Sequence, residues 1–152
     1  MKILTILILS MLTFMPIFAM SPFSLESIKN VNVKIFDKDK SLDEPSLKTL
    51  TQEVEKKLLS LGIQSSTKAF SNLIIKIQAI KTNAITVCHI NLSLVENARI
   101  ARSTPVEGIA IGYMKDDLFE SDDVKKDIAD SIKFLVDEFV EQYKEENPSS
   151  LK

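Results

Sequence analysis

The chain has 152 residues, 19 Lys and Arg against 21 Asp and Glu, a formal net charge of −2, 45% hydrophobic residues, one Cys and three Gly. That length suits one domain able to close a core unaided, and a lone Cys excludes an intrachain disulfide scaffold. Scattered bases outnumbered by acids exclude the electrostatic footprint of a nucleic-acid binder.

Lys2 precedes an almost uninterrupted apolar run over residues 3–14, Pro16 ends any helix there, and Ala19 is small. Charge, apolar stretch, breaker and small residue is the layout of a secretory signal peptide, so cleavage after Ala19 is expected. The body of the protein is then exported, and the absence of disulfides suits a bacterial periplasm. An uncleaved membrane anchor is the competing reading, because the apolar stretch of residues 3–20 reaches the lower length of a spanning helix. Membrane contact is expected only through this segment.

Residues 20–30 are polar and mixed, a flexible lead-in. Val31, Val33 and Ile35 then alternate with Asn32, Lys34 and Phe36, the period of a strand. From Pro45 the period changes: Leu47, Leu50, Val54, Leu58 and Leu61 share one helical face. Ser41 and Asp43 both suit its start, and Gly62 a left-handed C-cap. A second strand is predicted over residues 73–80 and a third over 85–95, joined by a short turn at Lys81, Thr82 and Asn83. On the third, Cys88, Ile90, Leu92 and Leu94 share one face, while Val87, His89, Asn91, Ser93 and Val95 share the other. Residues 96–107 read as a loop or a frayed extension of that strand, and a short fourth strand follows at 109–113. Ser121 opens a helix to about Tyr143, with Val124, Ile128, Ile132, Leu135, Phe139 and Tyr143 in line and Asp122 and Asp123 at its positive end.

The expected fold class is α+β: a two-layer domain with a four-stranded mixed sheet, element order β-α-β-β-β-α, two helices packed on one face, and an N-terminal signal-peptide helix. The segments are 1–19 signal peptide, 20–30 lead-in, 31–146 domain and 147–152 polar tail.

This layout resembles a group of small exported bacterial proteins of unassigned function. The likeness is carried by a helix closing on Gly62 and Ile63, a long alternating hairpin, a strand bearing Gly108 and Gly112, and a last helix running into Asn147 and Pro148. It implies an extracytoplasmic location and a strand-helix-three strands-helix layout. It brings no catalytic residues.

Catalytic and metal chemistry is tested residue by residue. Cys88 and His89 are adjacent, but neighbours in a strand point to opposite faces, so thiol and imidazole cannot form a nucleophile and base pair. Cys88 is expected in the core. One His and one Cys leave a zinc site without ligands. Asp37, Asp39, Ser41 and Asp43 copy the spacing that opens a calcium loop, but Leu42 replaces the turn Gly and Lys48 the closing Glu. The acidic run Asp116, Asp117, Glu120, Asp122 and Asp123 reads as a solvated loop leading into a capped helix; a hydrolase built on Asp117 or Glu120 is the outlying alternative. Three isolated Gly exclude a phosphate-binding loop.

The expectation is therefore a non-enzymatic exported protein, without cofactor or metal, serving as an accessory or interaction protein of the cell envelope. Its partner would be another envelope protein, bound through the open sheet face at Val87, His89, Asn91, Ser93 and Val95 or through an edge strand. The alternative is a carrier or sensor of a small apolar ligand held between helices and sheet. Oligomeric state is not legible.

Overall fold

The structure, a computed structural model, describes residues 24–100 and 103–148. The expected signal peptide, residues 1–19, lies outside the described residues. The fold is α+β, with one mixed sheet and two helices. Strand β1 (Asn30–Asp37) leads to helix α1 (Glu44–Leu59), and β2 (Gln64–Ser65) follows. Then come β3 (Ser71–Lys81), β4 (Thr86–Ile100), β5 (Val106–Ser121) and helix α2 (Val124–Glu146). The sheet order is β2-β1-β3-β4-β5. β1 runs parallel to β2 and β3, and β3, β4 and β5 form the antiparallel meander.

The sheet has five strands, not the four expected. The extra one is β2, only two residues long, which joins β1 through the pairs Asn30–Gln64 and Val31–Ser65. Two residues cannot display a period, so no alternation announces them. Their position follows from the turn before them. Asp43 caps α1, its side chain accepting from Ser46 N at 2.9 Å. The helix closes at Gly62, whose φ of +78° is open to Gly at no steric cost. Ile63, fully buried, then directs the chain along the sheet edge.

A second correction concerns β5. The strand expected at 109–113 extends to Ser121, and β4 extends to Ile100, so the acidic stretch is ladder rather than loop. Charged side chains at 115–117 conceal the alternation. The strand forms because its partner β4 is long and offers a full row of backbone groups. The register is continuous except between Leu94 and Val95, where Tyr113 faces Leu94 and Ile111 faces Val95. Gly112 is the extra residue of this bulge. A Cβ there would sit 3.3 Å from both the Leu94 side chain and the Ser24 carbonyl. Ser121 ends the strand, and Asp123, two residues later, caps α2.

Both helices lie on the same face. Leu50, Val54 and Leu58 of α1 and Ile128, Ile132, Leu135 and Phe139 of α2 share one core with Val31, Val33, Leu73, Ile75, Ile77, Ile90 and Leu92. The alternate residues of β1 and β3, among them Lys34, Phe36, Lys76 and Gln78, are exposed. Tyr113 meets Phe139 edge to face, ring centres 5.2 Å apart.

The lead-in stretch is described from Ser24 onward. There Leu25 and Ile28 are buried and tied to the end of α2. Leu25 N donates to the Glu146 carboxylate, Ser27 N to Asn147 Oδ1 at 2.9 Å, Asn147 Nδ2 to Leu25 O at 3.0 Å, and Tyr143 OH to Ile28 O at 3.1 Å. The first residue of the expected polar tail, Asn147, thus fastens the two ends together.

Candidate functional site

The face of the sheet away from the helices is built by pairing register. Level with one another across β1, β3, β4 and β5 stand Lys34, Ile74, Ser93 and Met114, and on the next level Phe36, Lys76, Asn91 and Asp116. Beyond them lie Gln78, His89 and Leu118, then Ile80, Val87 and Glu120. On the other side come Asn32, Asn72, Val95 and Ile111. No helix covers these rows. Ile80, Leu118 and Ile109 are 66%, 69% and 71% exposed, and Phe36, Ile111 and Met114 are about half exposed.

The five residues singled out in sequence, Val87, His89, Asn91, Ser93 and Val95, all fall on this face. Four are half-buried. Ser93 is buried, because Ile74 and Met114 flank its short side chain on the adjacent strands. It contributes to the floor rather than to any contact surface. Phe36, Ile74, Lys76, Ile80, Met114, Asp116 and Leu118 belong to the same face. On β3 they are the alternate residues of the strand, and only the pairing register sets them beside β4.

At the centre of the face is a polar cluster. His89 Nε2 lies 2.9 Å from Asp116 Oδ1, and Asn91 Nδ2 donates to the same oxygen at 2.9 Å. His89 Nδ1 lies 3.3 Å from Gln78 Oε1. Both ring nitrogens are engaged, which fixes the orientation of the imidazole. Two shallow hollows flank it, one of about 480 Å³ beside Phe36, Lys76 and Met114, the other of about 410 Å³ beside Ile80, Val87 and Leu118. Such a surface offers apolar area, hydrogen-bonding groups and charge at once, the make-up of a protein contact.

The chemistry-bearing residues are dispersed. Cys88 is buried on the helix side, where burial first and the Asp127 charge second push its thiol pKa up, away from a nucleophilic thiolate. The acidic run is divided between the two faces. Asp116 and Glu120 stand on the open face, whereas Asp117 points toward the helices and accepts from Ser131 Oγ at 2.8 Å. Asp123 caps α2, accepting from Lys126 N. Of the calcium-like spacing, Asp37 accepts from Leu42 N at 2.7 Å, Asp39 from Ala79 N at 3.0 Å, and Asp43 caps α1. These carboxylates stabilise a turn. Among the described residues, no group of three or more His, Cys, Asp or Glu is placed to hold a metal ion.

Between the helices lies a hollow of about 160 Å³, lined by Leu50, Val54, Ile132 and Val136 with Lys57 and Asp137 at its side. Lys57 Nζ and Asp137 Oδ1 are 2.7 Å apart, an ion pair that ties α1 to α2. No described helix is long and apolar enough to cross a membrane.

No protein-family model and no curated protein matches the chain.

Proposed function

We propose that the chain is an exported, non-enzymatic protein of the bacterial cell envelope that acts by binding another protein through the open face of its sheet. The observation that carries this is the exposed apolar array of Phe36, Ile80, Met114 and Leu118, spread over three strands around an ordered His89–Asp116–Asn91 cluster. A monomer gains nothing from leaving such area in water, and patches of this kind mark interaction surfaces. Export rests on the sequence layout from Lys2 to Ala19. The face is a better surface than the free edge of β5, because Lys115, Asp116, Asp117 and Glu120 put charge along that edge, a common guard against strand addition. A carrier of small apolar ligands has less support: the hollow between the helices, about 160 Å³, is small beside the roughly 300–1,000 Å³ of ligand sites.

The test is site-specific photo-cross-linking in the producing cell, with the reactive group in place of Leu118 on the open face or of Lys133, exposed at the rim of the hollow between the helices. A discrete adduct from position 118 and none from 133 is expected. No adduct from 118, with the protein folded and abundant, refutes the reading. Cell fractionation and the mass of the mature N-terminus test export separately.

A further inference from the structure

Charge on the open face is sorted by strand. Lys34 and Lys76 stand on β1 and β3, with Lys38 just past the end of β1, while Asp116 and Glu120 stand on β5. The three lysines and Glu120 have no ion-pair partner among the described residues, and Asp116 is engaged only by His89 and Asn91. One edge of the face is therefore basic and the opposite edge acidic, with apolar side chains between. A foreign partner of one sign would be attracted by half of this surface and repelled by the other half. A surface of the same kind turned through half a revolution matches all of it.

We propose that the open face pairs with the open face of a second copy of this chain, about a two-fold axis parallel to the strands and passing between β3 and β4. This rests on the reading of that face as a protein-binding surface. The operation lays β1 of one copy over β5 of the other and β3 over β4. Levels along the strands are kept, so Lys34 and Lys38 of one copy bracket Asp116 of the other, and Phe36 lies among Met114, Asp116 and Leu118. Lys76 meets Asn91, beside the Asp116 carboxylate. Two twisted sheets pack this way at an angle of about 30°. Four strands about 4.8 Å apart and nine residues at about 3.3 Å each give a footprint of about 570 Å² per copy, about 1,100 Å² in all. That is close to the lower limit of interfaces that persist in solution, the size class of weak or transient contacts.

The experiment is sedimentation equilibrium of the purified mature chain and two charge-reversed variants, Lys34→Glu/Lys76→Glu and Asp116→Lys/Glu120→Lys. The wild type is expected to dimerise, and each variant alone to associate at least tenfold more weakly. Mixed in equal amounts, the two variants should form a heterodimer approaching wild-type affinity, because each reversed edge then meets its complement. Because Asp116 also holds His89 and Asn91, Glu120→Lys alone serves as a second acidic-edge variant should the double substitution fail to fold. A monomeric wild type overturns the proposal, as does a dimer that both variants retain or a mixture that stays monomeric. If the wild type is monomeric yet position 118 still cross-links to a different protein in the cell, the face remains a binding surface and only its pairing with itself is refuted.

Discussion

Two buried tyrosines allow the same substitution to be made with opposite expected signs. Tyr113 is 1% exposed, and its hydroxyl has no hydrogen-bond partner among the described residues. Tyr143 is also buried, but its hydroxyl donates to Ile28 O at 3.1 Å. An unpartnered buried hydroxyl costs about 1–3 kcal/mol, whereas a satisfied one contributes about 1 kcal/mol net. Tyr113→Phe keeps the ring and its edge-to-face contact with Phe139 and removes only the stranded oxygen. It should raise the unfolding free energy by about 1–2 kcal/mol, or about 3–8 °C in Tm for a domain of this size. Tyr143→Phe should lower it by about 1 kcal/mol and leave the Ile28 carbonyl unpaired. The assay is urea denaturation of both variants, read at the midpoint with the m-value unchanged. There is a second signature at high pH. Burial first and the Glu138 charge second push the Tyr113 phenol up from 10.0 to about 12. A raised folded pKa contributes stability that is whole below the unfolded value and is lost as pH rises toward the folded one. Wild type should therefore lose stability between pH 10 and about 12 more steeply than Tyr113→Phe. A lower midpoint for Tyr113→Phe at neutral pH, or equal alkaline slopes, refutes the reasoning.

Three further outcomes are expected. The Lys125 ammonium, and then the Ser46 side chain and amide, hold the Asp43 carboxyl well below the usual carboxylate range. Its contribution is present above the unfolded value of 3.8 and fades as pH falls, so Asp43→Asn, which keeps a capping oxygen, should flatten the acid limb of stability against pH. Gly62→Ala places a Cβ on a residue at φ +78° and should cost about 1 kcal/mol in chemical denaturation, although the space beside it is open. Asn147→Ala removes the bonds to Leu25 O and Ser27 N, and should speed amide exchange at Leu25 and Ser27 while leaving the amides of β3 and β4 as slow as before.

Where a residue's neighbours along the chain decide its environment, the sequence is a sufficient guide. The inward set of β4 and the buried lines of both helices follow from spacing alone, because one covered face and one wet face impose a strict period. Asp43 as a cap and Gly62 as a left-handed turn likewise depend only on local geometry. Three features are not local. β2 is positioned by the buried side chain of Ile63 and the free edge of β1. The second half of β5 is strand because β4 lies beside it, not because its charged residues favour extension. Leu25 and Ile28 read as two apolar residues in a polar stretch, and their partners are the last residues of α2. The candidate surface divides in the same way. Its β4 row was legible, whereas the lysines of β1 and β3 and the acids of β5 share it only through register, which no single-strand pattern contains.

The seam formed by Leu25, Ser27 and Ile28 with Tyr143, Glu146 and Asn147 joins the segment before β1 to the end of α2. Its hydrogen bonds span 115 to 122 residues of sequence, so neither half can satisfy its polar groups locally. Contacts that close so long a loop form late, after the local pairings of the meander. Removing either half of the seam should therefore release the other half as well.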